Sequence, residues 1–384
     1  MTSEAVLGND FRAAQDPIAD FCEQALASLS RSDQRRWGEL YVRGLVTIPG
    51  RKSIRRISAL AGGTAADQSL QQFVNQSPWE WGPVRAELAH LLAGWTPVEA
   101  LIAAEIAFPK NGRSSAGVCQ QYAGPAARTL NCQLAATLSL AGAGFCAPVN
   151  WRLMLPKQWD LDARRRSRSH VPARERHRPC WQHLLGLFDE AVGEWGLAPR
   201  PVLADRRHDP AAGRLVRGLA ERGLRYLVSV GDDAPVAVDG ATVRAADAQR
   251  TPQGERVSLI APAPAGRRAV PAHYVAMPLA TGDPHRPGCR AGTRWLVSRR
   301  VAGRVTGLWL TDLGHDLAAV SRMALLLDRS RRHHAAFERG SGLHHFEGRS
   351  FRGWHHHVTL ASAAHAYRLL SDGPALVPAP RLAW

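Results

Sequence analysis

Residues 201–231 carry the feature that most narrows the possible folds. PVLAD (201–205) is followed by an amphipathic stretch at about 210–222, with Leu215, Val216 and Leu219 on one side, and then by LRYLVSVG (224–231). Two short apolar runs separated by one helix cannot pair as a hairpin. They predict parallel neighbours joined by a right-handed crossover. This makes the chain α/β and sets Asp205 at the carboxyl end of its strand, the edge where open α/β sheets place their chemistry.

Upstream, LIAA (101–104), GVCQQYAG (117–124) and NCQLAATLSLAGAGFCAPVNWRLMLP (131–156) alternate or run apolar between glycine and proline breaks, as in an antiparallel meander. A helix at 181–196, with Leu184, Leu185, Phe188, Val192 and Trp195 inward, separates this meander from the crossover. Residues 232–292, rich in Ala, Pro, Gly and Arg, read as an insertion of short strands and loops. WLVSR (295–299) and VTGLWLTDL (305–313) predict a closing hairpin, followed by helices over 316–337 and 353–370. A meander, a parallel crossover and acids near strand tips, Glu105 in LIAAEIAFPKNG among them, describe an RNase H-like mixed sheet flanked by helices. Nucleases of that kind hold two divalent metals with three acids from separate elements, because each metal needs several oxygen ligands.

Residues 10–95 have helical spacing throughout. In GRKSIRRISALAGGTAADQSLQQFVNQSPW, Ser53 can cap a helix that turns Ile54, Ile57 and Leu60 inward. Gly62-Gly63 breaks it, and Asp67 can cap a second helix with Leu70, Phe73 and Val74 inside. This pair, over 53–76, suits a helix-turn-helix, and equally an ordinary helical hairpin with solvated arginines.

Charge enters here. A formal net +16 implies an anionic partner, most simply double-stranded DNA held through its phosphates. Lys52, Lys110 and Lys157 are the only lysines, so arginine carries nearly all of it; a GC-rich codon bias would produce the same excess. The expected phosphate contacts are Arg51, Lys52, Arg55 and Arg56 in the helical region and Lys110 after the Phe-Pro turn. Arg164, Arg165, Arg166 and Arg168 join them from an exposed basic loop at 164–179, and Arg349 and Arg352 from near the site.

Other classes find no support. There is no Walker loop, no GxGxxG opening a helix and no GxSxG elbow. Six scattered cysteines without a CxxC pair read as reduced thiols. His355, His356 and His357 are consecutive, so on a helix they point about 100° apart and cannot chelate one ion together; they read as scaffold. Trp79, Trp81, Trp151 and Trp159 read as packing. With no apolar run of membrane-spanning length and no signal-like start, the expected location is the cytoplasm, beside the nucleoid.

The segments QQFVNQSPWEW, FPKNGRSSAGVCQQYAG, NCQLA, CAPVNWRLMLP, VLAD and HHFEGRSFRGWHHHVTL together resemble the DDE transposases of bacterial insertion sequences, in order over roughly residues 20–370. The resemblance implies a helical DNA-binding region (1–95), an RNase H-like core (96–372) with a β-rich insertion at about 232–292, and a disordered tail (373–384). It also implies metal-dependent strand cleavage and transfer, and action as a homodimer or larger assembly.

Carried over by motif, the family's second Asp matches Asp205. Its first, which opens an Asp-Asp-Thr-Gly run before Phe-Pro-Lys, falls on Ala104, with Glu105 one residue on and therefore on the opposite strand face. Its Glu, in a helix before the Gly-Leu-x-His-Phe-Glu-Gly-Arg-Ser motif, falls on Arg331. The accompanying Arg, Tyr and Lys become Leu327, His334 and Glu338. With Asp205 alone retained as a metal ligand, the expectation is a DNA-binding transposase relative that has lost strand transfer and holds no cofactor. The alternative is an active enzyme that binds Mg²⁺ or Mn²⁺ through Glu105, Asp205 and Glu338 or Glu347.

Overall fold

The computed structural model describes residues 16–62, 64–238, 240–249, 257–262, 271–279 and 294–372. Five helices come first: α1 (Pro17–Ala25), α2 (Ser32–Thr47), α3 (Ile54–Ser58), α4 (Thr64–Asn75) and α5 (Trp81–Trp95). Ser53 caps α3 by accepting from the Arg56 amide, and Gly62 takes the left-handed φ of 89° that ends this turn. The expectation for Asp67 is corrected: α4 starts at Thr64, and Asp67 sits in its first turn, accepting from Ser58 Oγ at 3.2 Å.

The meander follows as β1 (Ala100–Pro109), β2 (Cys119–Ala123), β3 (Arg128–Gly142) and β4 (Phe145–Met154). The next residues form α6 (Lys157–Leu161), α7 (Ala163–Arg168) and α8 (Cys180–Phe188), which continues as a π turn over Asp189–Glu194. The crossover is β5 (Val202–Asp205), α9 (Ala212–Glu221) and β6 (Tyr226–Ser229), with β1, β5 and β6 mutually parallel. Continuous burial marks β5 as central: its apolar residues Val202, Leu203 and Ala204 are fully covered on both faces, as parallel strands require.

Beyond the crossover lie β7 (Pro235–Val238), β8 (Ala241–Arg244), α10 (Ala245–Ala248), β9 (Val257–Pro262), β10 (Pro271–Leu279), β11 (Arg294–Val301) and β12 (Arg304–Thr311). Two long helices close the chain, α11 (Leu317–Gly340) and α12 (Phe351–Asp372). The strand order is β2-β3-β1-β5-β6-β12-β11-β10-β9, with β4 on the free edge of β3, giving ten strands in one mixed sheet. Within the region expected as an insertion, the described strands divide. Only β7 and β8 stand apart; β9 and β10 extend the main sheet through β11 and β12. The expected tail at 373–384 and Cys289 lie outside the described residues.

The two faces of the sheet are sorted by alternation. Ala100, Ile102, Leu203 and Leu227 pack against Val320, Ala324 and Leu327 of α11. Leu101, Ala103, Val202, Ala204 and Val228 pack with α8 and α9. The second cluster also takes in Phe21, Leu45, Phe73 and Leu88, so the first five helices share a core with the sheet through α12.

Arg85 pins that junction. Its guanidinium, 2% exposed, donates to Thr359 Oγ1 (2.8 Å), the Trp151 carbonyl (2.8 Å), Asn150 Oδ1 (3.2 Å) and His355 Nδ1 (3.1 Å), joining α5, β4 and α12. Burial draws its pKa down to about 9, which leaves it charged at neutral pH. Arg85→Met keeps the volume but strands those acceptors, and is expected to cost about 3–5 kcal/mol in urea unfolding. An unchanged midpoint would show that this hydrogen-bond cluster holds nothing together.

Candidate active-site cleft

A cleft of about 700 Å³ opens at the carboxyl ends of β1 and β5, lined by Ala104, Glu105, Asp205, Arg206, Arg207 and Arg331 among others. Alternation decides which of these meet. Asp205 follows Leu203 onto the α11 face of β5, and Ala104 follows Ile102 onto the same face of β1. Arg331 reaches the same place from α11, one turn beyond Leu327, and its Nη2 lies 2.8 Å from Asp205 Oδ2.

A second cation closes on Asp205 from its own loop. Arg207 grips the carboxylate with two hydrogen bonds, Nε to Oδ1 at 3.0 Å and Nη2 to Oδ2 at 2.9 Å. Burial works against charging Asp205, yet the bonded Arg207 and the charge of Arg331 hold its carboxyl below the usual value. Arg331 meanwhile bridges to Asp328 (2.8 Å), which also takes Arg299 (2.9 Å). The result is an alternating row, Arg207, Asp205, Arg331, Asp328, Arg299, in which each acid stands between two cations and one positive charge is left in excess.

Glu105 lines the cleft from the other side of the sheet. It faces the first turn of α8, where Cys180 bonds it; the Gly124 amide bonds it from the turn after β2, and Arg206, just past β5, stands 3.9 Å away. Burial raises its carboxyl above the ordinary range despite these partners. Cys180 beside it is pushed up to about 12 by burial, so it offers a thiol rather than a thiolate. Arg206 itself is engaged by Asp209.

The other acids are also committed. Glu338 lies seven residues beyond Arg331 on α11, about 10 Å further along, and pairs with His344 at 3.0 Å. Glu347 is exposed and pairs with Arg51. Glu105, Glu338 and Glu347 are therefore not brought to Asp205, and among the described residues no group of three His, Cys, Asp or Glu is placed to hold a metal. A pair of divalent ions needs several free oxygens converging on each ion. One carboxylate already held by two guanidiniums does not fit that need.

The expected phosphate contacts divide. Arg51, Arg55, Arg56, Arg164, Arg168 and Arg349 are exposed, and Arg352 is half-buried. Lys52 and Arg166 are corrections. Lys52 is buried with its ammonium on the Ile48 carbonyl, and Arg166 donates inward to Pro172 and Glu175 carbonyls. Lys110 donates to the Phe346 carbonyl at 2.9 Å, and burial lowers its pKa. Arg165 stacks over Trp159 at 4.5 Å, so the start of the basic stretch is a folded helix and not a loose loop.

Sequence reasoning missed Asp328, Arg299, Arg206 and Arg207. For two of them a signal existed. Arg206 and Arg207 directly follow the strand-tip acid, where alternation sends one to each face. Asp328 stands three residues before Arg331, the spacing of helix neighbours, but nothing marked Arg331 as needing a partner.

The family described as DDE superfamily endonuclease matches residues 24–279, about two thirds of the chain, and the chain belongs to it. The match takes in Ala104, Glu105 and Asp205 and ends before α11. No curated protein matches the chain.

Proposed function

From membership of the DDE superfamily endonucleases, we propose that this protein is a transposase-derived double-stranded-DNA-binding protein that has lost strand cleavage and transfer. The observation that carries the reading is the 2.8 Å ion pair between Arg331 and Asp205, in a cleft whose facing strand offers Ala104. A guanidinium beside the retained acid opposes a divalent cation by several kcal/mol at such range. Arg55, Arg56, Arg164 and Arg168, all exposed, support phosphate binding that needs no metal. The helices of residues 16–95 supply the docking region, and the sheet serves as the scaffold that carries it. Action as a homodimer is part of the same proposal. No helix among the described residues is long and apolar enough to cross a membrane.

Duplex DNA is expected to be bound equally in Mg²⁺ and in EDTA, with affinity falling steeply as salt rises, and supercoiled plasmid is expected to stay intact in Mg²⁺ or Mn²⁺. Nicking or joining that disappears in Asp205→Asn would sink the proposal.

A further inference from the structure

The solvent face of α4 has an unusual chemistry for so charged a chain. Ala66, Leu70, Phe73 and Val74 turn into the core, while Ala65, Gln68, Gln71, Gln72 and Gln76 are exposed. The exposed side chains carry no charge at all. Asp67, the one acid on the helix, is turned aside to Ser58. Among the described residues, the amides of Gln68, Gln71 and Gln72 have no hydrogen-bond partner.

Cations stand at both ends of the face and not on it. Arg55 and Arg56 are exposed on α3, across the glycine turn. Arg352 reaches the other end, where its Nη1 donates to the Gln76 carbonyl at 3.4 Å. A duplex lying on this helix would meet arginines along its two backbones and neutral amides on its base edges. A glutamine amide presents one donor and one acceptor at the spacing of adenine N6 and N7 in the major groove, and small apolar side chains suit the thymine methyl. Ala65 supplies the latter together with Leu60, which is 49% exposed and not turned inward as its helical spacing suggests, because the chain tightens to a 3-10 turn at Ala59–Ala61.

We propose that α4 is the base-reading helix of this protein and that Gln68, Gln71 and Gln72 select A·T pairs in the major groove. The proposal rests on the DNA-binding reading above and assigns its specificity. Exposed glutamines exchanged for alanine leave the helix intact, since alanine is the better helix former.

The test is selection of binding sites by the full chain from a random duplex library, followed by anisotropy titrations of Gln68→Ala, Gln71→Ala, Gln72→Ala and Arg55→Ala. The parent is expected to select adjacent A·T pairs. Each glutamine variant should lose about tenfold discrimination at one position, with affinity for unrelated duplex and its salt slope unchanged. Arg55→Ala should weaken all duplexes alike and flatten the slope by about one. Duplex binding without preference, or a preference that survives all three glutamine exchanges, overturns the assignment while leaving DNA binding in place. No binding of any duplex by the parent overturns both.

Discussion

Acidification from pH 7 to pH 5 is expected to unfold the whole molecule, with uptake of about four protons per chain at pH 5.5. Six buried histidines set this expectation. Burial pulls His183, His334 and His365 down to about 4, His356 and His357 to about 3, and His355 well below its ordinary value. The Arg85 contact requires a neutral ring at His355, and the contacts of His357 are compatible with one. His355 Nδ1 accepts from Arg85, and His357 joins Tyr41 Oη (2.9 Å) to the Leu343 carbonyl (2.9 Å). His356 differs, because its two nitrogens face the Val74 and Trp79 carbonyls and so favour charge, and burial outweighs that attraction.

Each of these imidazoles binds its proton less readily folded than unfolded. The unfolded chain therefore takes up protons first as pH falls. Stability is complete above the unfolded value near 6.5 and drains away towards the folded values. At pH 5 each ring drawn down to about 3 or 4 costs about 2 kcal/mol, and His355 acts in the same direction. Even without His355 and His356, the total is on the order of 8 kcal/mol, comparable to the whole stability of a folded domain. The depressed carboxyl of Asp205 takes no part in this range, since its contribution is lost only below the unfolded value near 3.8, whereas Glu105 and Asp312, raised by burial, offset part of the loss. Urea unfolding at pH 7.5, 6.5, 5.5 and 5.0 measures the slope. Equal stability at pH 7.5 and pH 5.0 would show that these rings accept protons without opening the core.

How far the sequence spoke depended on periodicity. The crossover through Asp205 was legible because β5 and β6 are short, apolar and separated by a helix with one inward face. The helices at 316–337 and 353–370 were legible for the same reason, and their ends moved by a few residues. The role of 257–279 was not legible. Glycine- and arginine-rich flanks look alike whether a strand stands apart or joins a distant edge, and only pairing with β11 through a register that spans some thirty residues decides it. Arg166 and Lys52 were misread because charge composition says nothing about which carbonyls a folded turn leaves to be satisfied.

For the cleft, alternation was the useful rule. It placed Glu105 and Ala104 on opposite faces, and in the structure Glu105 meets Cys180 on one side while Asp205 and Arg331 meet on the other. What alternation could not supply was the compensation. Arg331 without partners in a half-buried cleft would be costly, and Asp328 and Asp205 on either side make it tolerable. These paired charges offset one another, so no pattern in a single element announces them.

That compensation makes a strong expectation about metal. In the parent, 10 mM Mn²⁺ should leave the melting temperature unchanged. The double exchange Ala104→Asp with Arg331→Glu puts a carboxylate on β1 and another on α11, both facing Asp205, and removes the cation between them. The variant should be less stable than the parent in EDTA, since like charges now face each other. It should then be stabilised by Mn²⁺ by about 3 kcal/mol once the ion exceeds its dissociation constant a hundredfold, a rise of several degrees. Arg207, 44% exposed, can swing away as the metal takes its place on Asp205. Either single exchange should respond weakly, because two carboxylates leave each ion short of ligands. A folded double variant blind to Mn²⁺ would mean that Ala104 and Arg331 do not mark vanished ligands, and the proposed loss of strand transfer would lose its physical basis.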